Sequence, residues 1–493
     1  METTIESSLQ LPLPMAPSGA TSDINEDIMP PTSSSSAYSN EPALMHRSLF
    51  DRPELVVSGS GCYLTLQNGR RILDGCAGAA VAAIGHGSQI VRDAMLKQSL
   101  QVSYVHTACY TTSSAEDLAE FILEGRPAGL SKAYFVGSGS EAMDSAIKLA
   151  RQYHYERKQP LRTKFVARRQ AYHGNTIGAM SLSSNLARRQ PYENAVLLPN
   201  VTFVSPAYSY RGQRPEESEA DYAARLVAEL DQHFQSLGPE TVAAYVAETV
   251  GGATAGCLTP PQGYFTGVRR LCDRYGILLI LDEIMCGSGR TGSYFAFEQE
   301  GSEVVPDIVT IGKGLGGGYA PIAGILIRDS VVQVLRRGTG SFNHGHTYQA
   351  HPMSCAIALA VQEVIKQRDL VAHCADQGQR LRNLLFDTFS DCKYVGDIRG
   401  RGLFWALEFV EDRKTKLPFP GSVNFGPRVQ QKAFDLGLAV YPGHGTADGW
   451  IGDHVLLAPP LIVSTSELET LVRTLKAAYD LVEMEISRSL ASL

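Results

Sequence analysis

The apolar pattern of the chain begins in earnest near residue 55. Residues 1–45 are rich in Ser and Pro, with Pro30-Pro31 and four serines at 33–36. Such a stretch buries too little apolar surface to offset its ordering entropy, which predicts a disordered tail. Beyond it, Val56-Val57, residues 62–66 and residues 71–73 read as short strands, the last two joined by a tight Asn68-Gly69 turn. After residue 90, strand-like and helix-like runs alternate. Residues 133–136 predict a strand, followed by a helix from about Glu141 with Ala142, Ala146 and Ala150 on one face and Met143 and Ile147 beside them. Residues 243–247 predict a strand and 262–275 a helix. The unbroken apolar run 276–281 has the character of a parallel strand buried on both faces. Residues 307–311 and 324–327 add two more strands. This alternation implies an α/β fold with a mainly parallel sheet covered by helices.

After about residue 370 the order becomes helix, strand, helix, as in a smaller α+β unit. Leu381, Leu384 and Leu385 mark a helix, and residues 403–409 a strand. The last helix is expected to start at a capping box, Ser466 to Glu469, and to bury Leu468, Leu471, Val472, Leu475 and Tyr479.

Composition narrows the function classes. The 493 residues suggest two or three domains at roughly 150 residues each. The net charge is −7, and the first 45 residues hold six acids and no Lys or Arg, so the remainder is nearly neutral. A neutral body offers no basic footprint for nucleic acid or an anionic membrane. No apolar run nears the roughly 20 residues of a membrane helix. Nine cysteines without a CxxC pair read as reduced thiols. The acidic, Arg-free start resembles neither a secretory signal nor a transit peptide, and cytoplasmic placement is the expectation.

Four segments carry candidate chemistry. Gly137-Ser138-Gly139-Ser140-Glu141-Ala142 follows a strand and opens a helix, where small residues let N–H groups and hydroxyls converge on an anion. It also fits GxGxxA, and an ordinary tight turn is an equal alternative. Asp282 ends the buried strand, where open parallel sheets bind ligands; capping the next turn is the plainer role. Lys313 lies between Gly312 and Gly314, and a surface lysine in a flexible loop is its plainer reading. Glycines 312, 314 and 317 also satisfy GxGxxG, but no helix opens after them. Tyr172-His173-Gly174 places a ring beside a turn.

Taken together, an anion cradle, an aromatic plate, a strand-end carboxylate and a glycine-flanked lysine are the parts that pyridoxal phosphate requires. In these segments, and in residues 282–292 (Asp282-Glu283-Ile284-Met285-Cys286-Gly287 through Gly289-Arg290-Thr291-Gly292), the chain resembles a class III aminotransferase of the fold-type I pyridoxal phosphate enzymes over residues 50–485. The resemblance implies a large sheet domain at 96–370 and a smaller α+β domain built from 46–95 and 371–493. It implies Lys313 as the Schiff-base lysine and proton carrier, and Asp282 as partner of the ring nitrogen. Tyr172 and Ile284 would lie on the two ring faces, with His173 also in the cofactor site. Ser138, Gly139 and Ser140 would hold the phosphate. Thr347 matches a threonine that reaches the phosphate of the partner subunit, which implies a homodimer with shared active sites. Glu248 matches a glutamate near cofactor and substrate, and Arg399 an arginine that pairs with it or binds a carboxylate.

Departures from the pattern point to a branch. Met285 stands where ornithine- and GABA-type members have Gln, and resembles the amine:pyruvate branch. That branch often has an arginine shortly before a Pro-Pro pair, here Pro459-Pro460, yet no arginine lies between Arg428 and Arg473; Gly449, Trp450 or Ile451 stand in its place. Ala79 and Ala80 occupy positions often bulky in amine transaminases, which makes Ala80 a candidate substrate contact and the pocket roomy. The expected reaction moves an amino group between a primary amine or ω-amino acid and a keto acid through pyridoxamine phosphate, with a bulky apolar donor favoured over a small dicarboxylic one. A same-family aminomutase or decarboxylase is the alternative, and a non-catalytic dimer acting through the tail is a remote one.

Overall fold

The structure, a computed structural model, describes residues 43–491. The tail expected over 1–45 therefore lies outside the described residues except for its last three positions. The chain divides into two units after Glu54. In the described part of the first, Ser48 accepts from the N–H groups of Phe50 and Asp51 in a local turn.

From Leu55 onward, fifteen strands are described. A small sheet begins with β1 (Val56–Ser60), β2 (Tyr63–Leu66) and β3 (Arg71–Asp74), joined antiparallel as expected from the Asn-Gly turn. The main sheet comprises β4 (Leu130–Val136), β5 (Lys164–Arg168), β6 (Val201–Val204), β7 (Val242–Glu248), β8 (Leu278–Asp282), β9 (Ile308–Ile311) and β10 (Ala323–Arg328). The C-terminal part supplies β11 (Val395–Arg401), β12 (Phe404–Phe409), β13 (Leu438–Ala439), β14 (Tyr441–His444) and β15 (Asp453–Leu457).

The main sheet has the order β4-β10-β9-β8-β7-β5-β6. Only β10 runs against its neighbours, pairing antiparallel with both β4 and β9. Every residue of β7, β8 and β9 is buried, as strands covered on both faces require. Because six strands point one way, their carboxyl ends share one edge. The loops leaving β4, β5, β7, β8 and β9 all open there. The register aligns Glu248 with Asp282 and Asp282 with Thr310, so the strand ends are level.

Within residues 55–493, strands from the two ends of the segment also pair. β13 pairs parallel with β3, so a C-terminal strand completes the N-terminal sheet. The other small sheet has the order β11-β12-β15-β14. Its core includes Leu381, Leu385, Leu407, Leu457, Leu468, Leu471 and Tyr479. The last helix spans Thr465–Ala491 and its cap falls two residues before the expected one. Ser464 accepts from the N–H of Glu467 at 3.3 Å, while Glu467 accepts from the N–H of Ser464 at 2.8 Å. Among the described residues, no helix is long and apolar enough to cross a membrane.

Candidate active site

The helix Gly139–Glu156 starts two residues earlier than expected because Ser138 caps it, accepting from the N–H of Glu141 at 3.3 Å. Glu141 in turn accepts from the N–H of Gly137 at 2.8 Å. The N–H groups of Gly139 and Ser140 meet no acceptor among the described residues. With the positive end of an 18-residue helix behind them, they form an anion site. A Cβ on Gly139 would come within 2.8 Å of Ile284 Cδ1, so only glycine lets the cradle close against that side chain. The Ser140 hydroxyl donates to Asn175 Oδ1 at 2.9 Å and accepts from the Asn175 N–H at 3.0 Å, tying the cradle to the loop after β5.

That loop delivers Tyr172 and His173. His173 is buried and meets Asp282 Oδ2 through Nδ1 at 2.8 Å. Asp282 Oδ1 accepts from the N–H of Ile284 at 3.0 Å. Glu248, on the adjacent strand, accepts from the N–H of Gly252 at 2.9 Å and of Tyr172 at 3.2 Å. Two carboxylates in register on neighbouring strands repel each other. The imidazole beside them and the backbone donors offset that repulsion. Burial still pushes the Glu248 carboxyl up; proximity to His173 opposes the shift and Asp282 adds to it.

Lys313 follows the end of β9 with φ +43°, in the left-handed region that a side chain adopts at a cost. Burial pushes its ammonium pKa down, while the Asp282 and Glu248 charges oppose that shift. Tyr172, Ile284 and Lys313 are partly exposed, whereas Asp282, His173 and Glu248 are buried. The arrangement sets buried acids and an imidazole beside Tyr172, Ile284 and the Lys313 amine. These residues fit pyridoxal phosphate: free N–H donors for its phosphate, a buried carboxylate for its ring nitrogen, a lysine for its aldehyde.

Two expected positions, Arg399 and Ala80, behave differently, and Thr347 stands apart from the cluster of its own chain. Arg399 does not pair with Glu248. Its Nη1 donates to Asp397 and Glu408, both at 2.7 Å, its Nε to the carbonyl of Gly256 at 2.6 Å, and its Nη2 to the carbonyl of Ala255. Four hydrogen bonds thus engage the five-donor guanidinium, and its two acids are set by register: Asp397 lies two residues back on β11 and Glu408 lies opposite Asp397 on β12. Ala80 is only 2% exposed and packs in an apolar cluster with Met285, Cys286 and Phe404, which leaves Ala79 as the partly exposed methyl. Thr347 is exposed and makes no hydrogen bond to the cluster in its own chain.

The structure adds a cation that the motifs did not reveal. Arg188, on the short helix Leu186–Arg189, places its guanidinium carbon 5.2 Å from the centroid of the Tyr172 ring. Its sequence signal was only an Arg-Arg pair after a capping Asn185.

The family model for aminotransferase class III matches residues 50–479. An uncharacterised aminotransferase of Schizosaccharomyces pombe is 44% identical, covering 90% of this chain and 96% of its own. A diaminobutyrate–2-oxoglutarate transaminase of Halomonas elongata is 34% identical over 89% of this chain and 92% of its own. The omega transaminase of Pseudomonas jessenii, solved in complex with PMP, superposes with a TM-score of 0.82 at 32% identity, covering 88% of this chain and 94% of that one. The chain thus belongs to the pyridoxal phosphate-dependent class III aminotransferases, with the fold-type I architecture.

Proposed function

We propose that the protein transfers an amino group between a primary amine or ω-amino acid and a keto acid, in two half-reactions at the carboxyl edge of the main sheet. The observation that carries this reading is the meeting, on three adjacent strand ends, of the buried Asp282–His173 pair, Glu248 and the strained Lys313. Bound pyridoxal phosphate supplies the electron sink for the pair released at the substrate Cα. Lys313 would hold the cofactor through its aldehyde carbon, and once freed by substrate its amine would carry the proton taken from the substrate Cα; burial, which pushes the ammonium pKa down, favours the free base this needs. Asp282 would bond the ring nitrogen, with His173 holding that carboxylate in place. Ser138, Gly139 and Ser140 would hold the phosphate, with Tyr172 and Ile284 beside the ring.

The active assembly in this reading is a cytoplasmic homodimer. The exposed Thr347 and the neighbouring Tyr348, 60% exposed in one chain, are suited to completing the phosphate site of a second copy. The large domain then corresponds to residues 96–370, flanked by the two parts of the small domain at 46–95 and 371–493, with 1–45 dispensable for catalysis.

The test is direct. Purified protein mixed with pyridoxal phosphate should develop a visible band that an amine donor bleaches and a keto acid restores. Borohydride reduction and peptide mapping should label Lys313. A label on another lysine would overturn the assignment. Release of carbon dioxide, or an isomerised amine without keto product, would replace transamination by decarboxylation or amino migration.

A further inference from the structure

The helix Leu186–Arg189 carries two adjacent arginines with opposite fates. Arg189 is buried, and its Nη1 donates to the carbonyls of Met180, Ser181 and Ser183 at 3.0, 3.0 and 2.6 Å. It anchors the helix. Arg188 is exposed, and its guanidinium has neither an ion pair nor a hydrogen bond among the described residues. Its contact is the face of Tyr172, 5.2 Å away. An exposed cation–π contact holds a guanidinium only weakly, so the head is free to exchange that ring for a better partner. Arg188 also ranks among the charges acting on Lys313, so it stands within electrostatic reach of the site.

The neighbouring loop gives this placement its meaning. Residues 445–452 form a tight turn in which Asp448 accepts from the N–H groups of Trp450 and Ile451 at 2.8 and 2.9 Å. The segment has no arginine. It packs on the Arg188 helix, since a Cβ at Gly449 would lie 2.9 Å from Leu186 Cδ1. It is tied to the Tyr172 loop as well, where Gln170 Nε2 donates to the carbonyl of Thr446 at 2.6 Å. Trp450 and Ile451 are 52% and 43% exposed, which adds apolar surface at the same place.

We propose that Arg188 is the specificity residue that receives the carboxylate of an ω-amino acid donor or keto acid acceptor, at the edge its helix forms with the Tyr172 loop and residues 445–452. The proposal rests on the transaminase reading and names the substrate feature that reading leaves open. The planar guanidinium fork accommodates a carboxylate bidentately. With an apolar amine, Arg188 stays on Tyr172 and the donor meets Trp450 and Ile451. One pocket thereby accepts both partners of the two half-reactions.

The probe pair is aminooxyacetate and O-ethylhydroxylamine, in which a methyl replaces the carboxylate. Both react with the carbonyl of the bound cofactor, and both are followed by absorbance on the holoenzyme. Wild type should react with aminooxyacetate at least about tenfold faster. In Arg188→Gln that ratio should collapse toward one, and Arg188→Lys should restore part of it. A wild-type ratio near one, a ratio that survives in Arg188→Gln, or an equal slowing with both reagents would overturn the assignment. The ratio is read before any turnover, so a holoenzyme that moves no amino group overturns the transaminase reading alone. A protein that takes up no cofactor overturns both.

Discussion

Replacing Arg399 by Gln should weaken the fold and leave the choice of amine untouched. Arg399 and Glu408 are 8% and 0% exposed at their side chains, and Asp397 is 24% exposed. The guanidinium also lies 4.8 Å over the Tyr208 ring. Removing one partner of a buried ion pair typically costs about 3–5 kcal/mol, because the other charge remains buried. Glu408 would keep Arg211 at 2.5 Å and the Tyr208 hydroxyl, which favours the lower end, about 3 kcal/mol. At about 2.1 cal/mol/K per residue, a chain of 493 residues unfolds with an entropy of about 1 kcal/mol/K, so the midpoint should fall by about 3 °C. Scanning fluorimetry of the holoenzyme at one fixed scan rate measures this. Half-reaction rates with 4-aminobutanoate and pentylamine, compared between variant and wild type, measure selectivity. The ratio of the two rates should not change. An unchanged midpoint, with a tenfold or larger selective loss for 4-aminobutanoate, would show that Arg399 grips substrate after all.

Three further outcomes are expected. Lys313→Ala should lose the visible band and nearly all turnover while still binding pyridoxal phosphate through the helix cradle, as equilibrium dialysis would report. Asp282→Asn should fold, yet slow the single-turnover half-reaction on the order of 10²–10³, the usual loss for a preorganised electrostatic partner; a near-normal rate would remove Asp282 from that role. Burial pushes His154 down to about 4, and it contacts the carbonyl of Ala243 at 2.9 Å. Its folded value lies below the unfolded one of about 6.5, so its contribution is present above that pH and is lost as pH falls toward 4, by ~3 kcal/mol in all. Urea midpoints between pH 4.5 and 7.5 should show a slope that His154→Gln flattens, and an equal slope in both proteins would refute it.

The fold was legible where local pattern and burial coincide. The run ending at Asp282 is apolar because both faces of β8 are covered, and the helix Tyr264–Tyr275 shows its period plainly. β5 escaped notice because its sequence, KFVAR, begins and ends with charge. Arg168 is nonetheless buried, donating to the carbonyl of Glu248 and lying 5.8 Å from the Phe265 ring centre. The antiparallel direction of β10 has no local signature either. At the last helix two Ser-x-x-Glu boxes overlap, and the sequence does not rank them. The pairing of Ser464 with Glu467 selects the first.

Within the site, the chemistry-bearing residues were legible because each sits in a short motif at a strand end, and the common direction of six strands brings those ends to one edge. The surroundings of the two arginines depend on another level of structure. Asp397 and Arg399 share a face of β11, and the hairpin register sets Asp397 opposite Glu408. A hairpin drawn from residues 395–409 would have exposed that triad and argued against a pairing with Glu248. Arg188 offers no such route. Its helix has four residues, too few for a period, and its contact with Tyr172 depends on how the chain returns after residue 182. This division has a consequence for specificity. The sheet edge holds the groups that every donor needs, whereas residues 186–189 and 445–452 lie beside it and meet at Leu186 and Gly449. Changes of substrate preference should therefore concentrate in those two segments, and substitutions around Arg399 should register as stability.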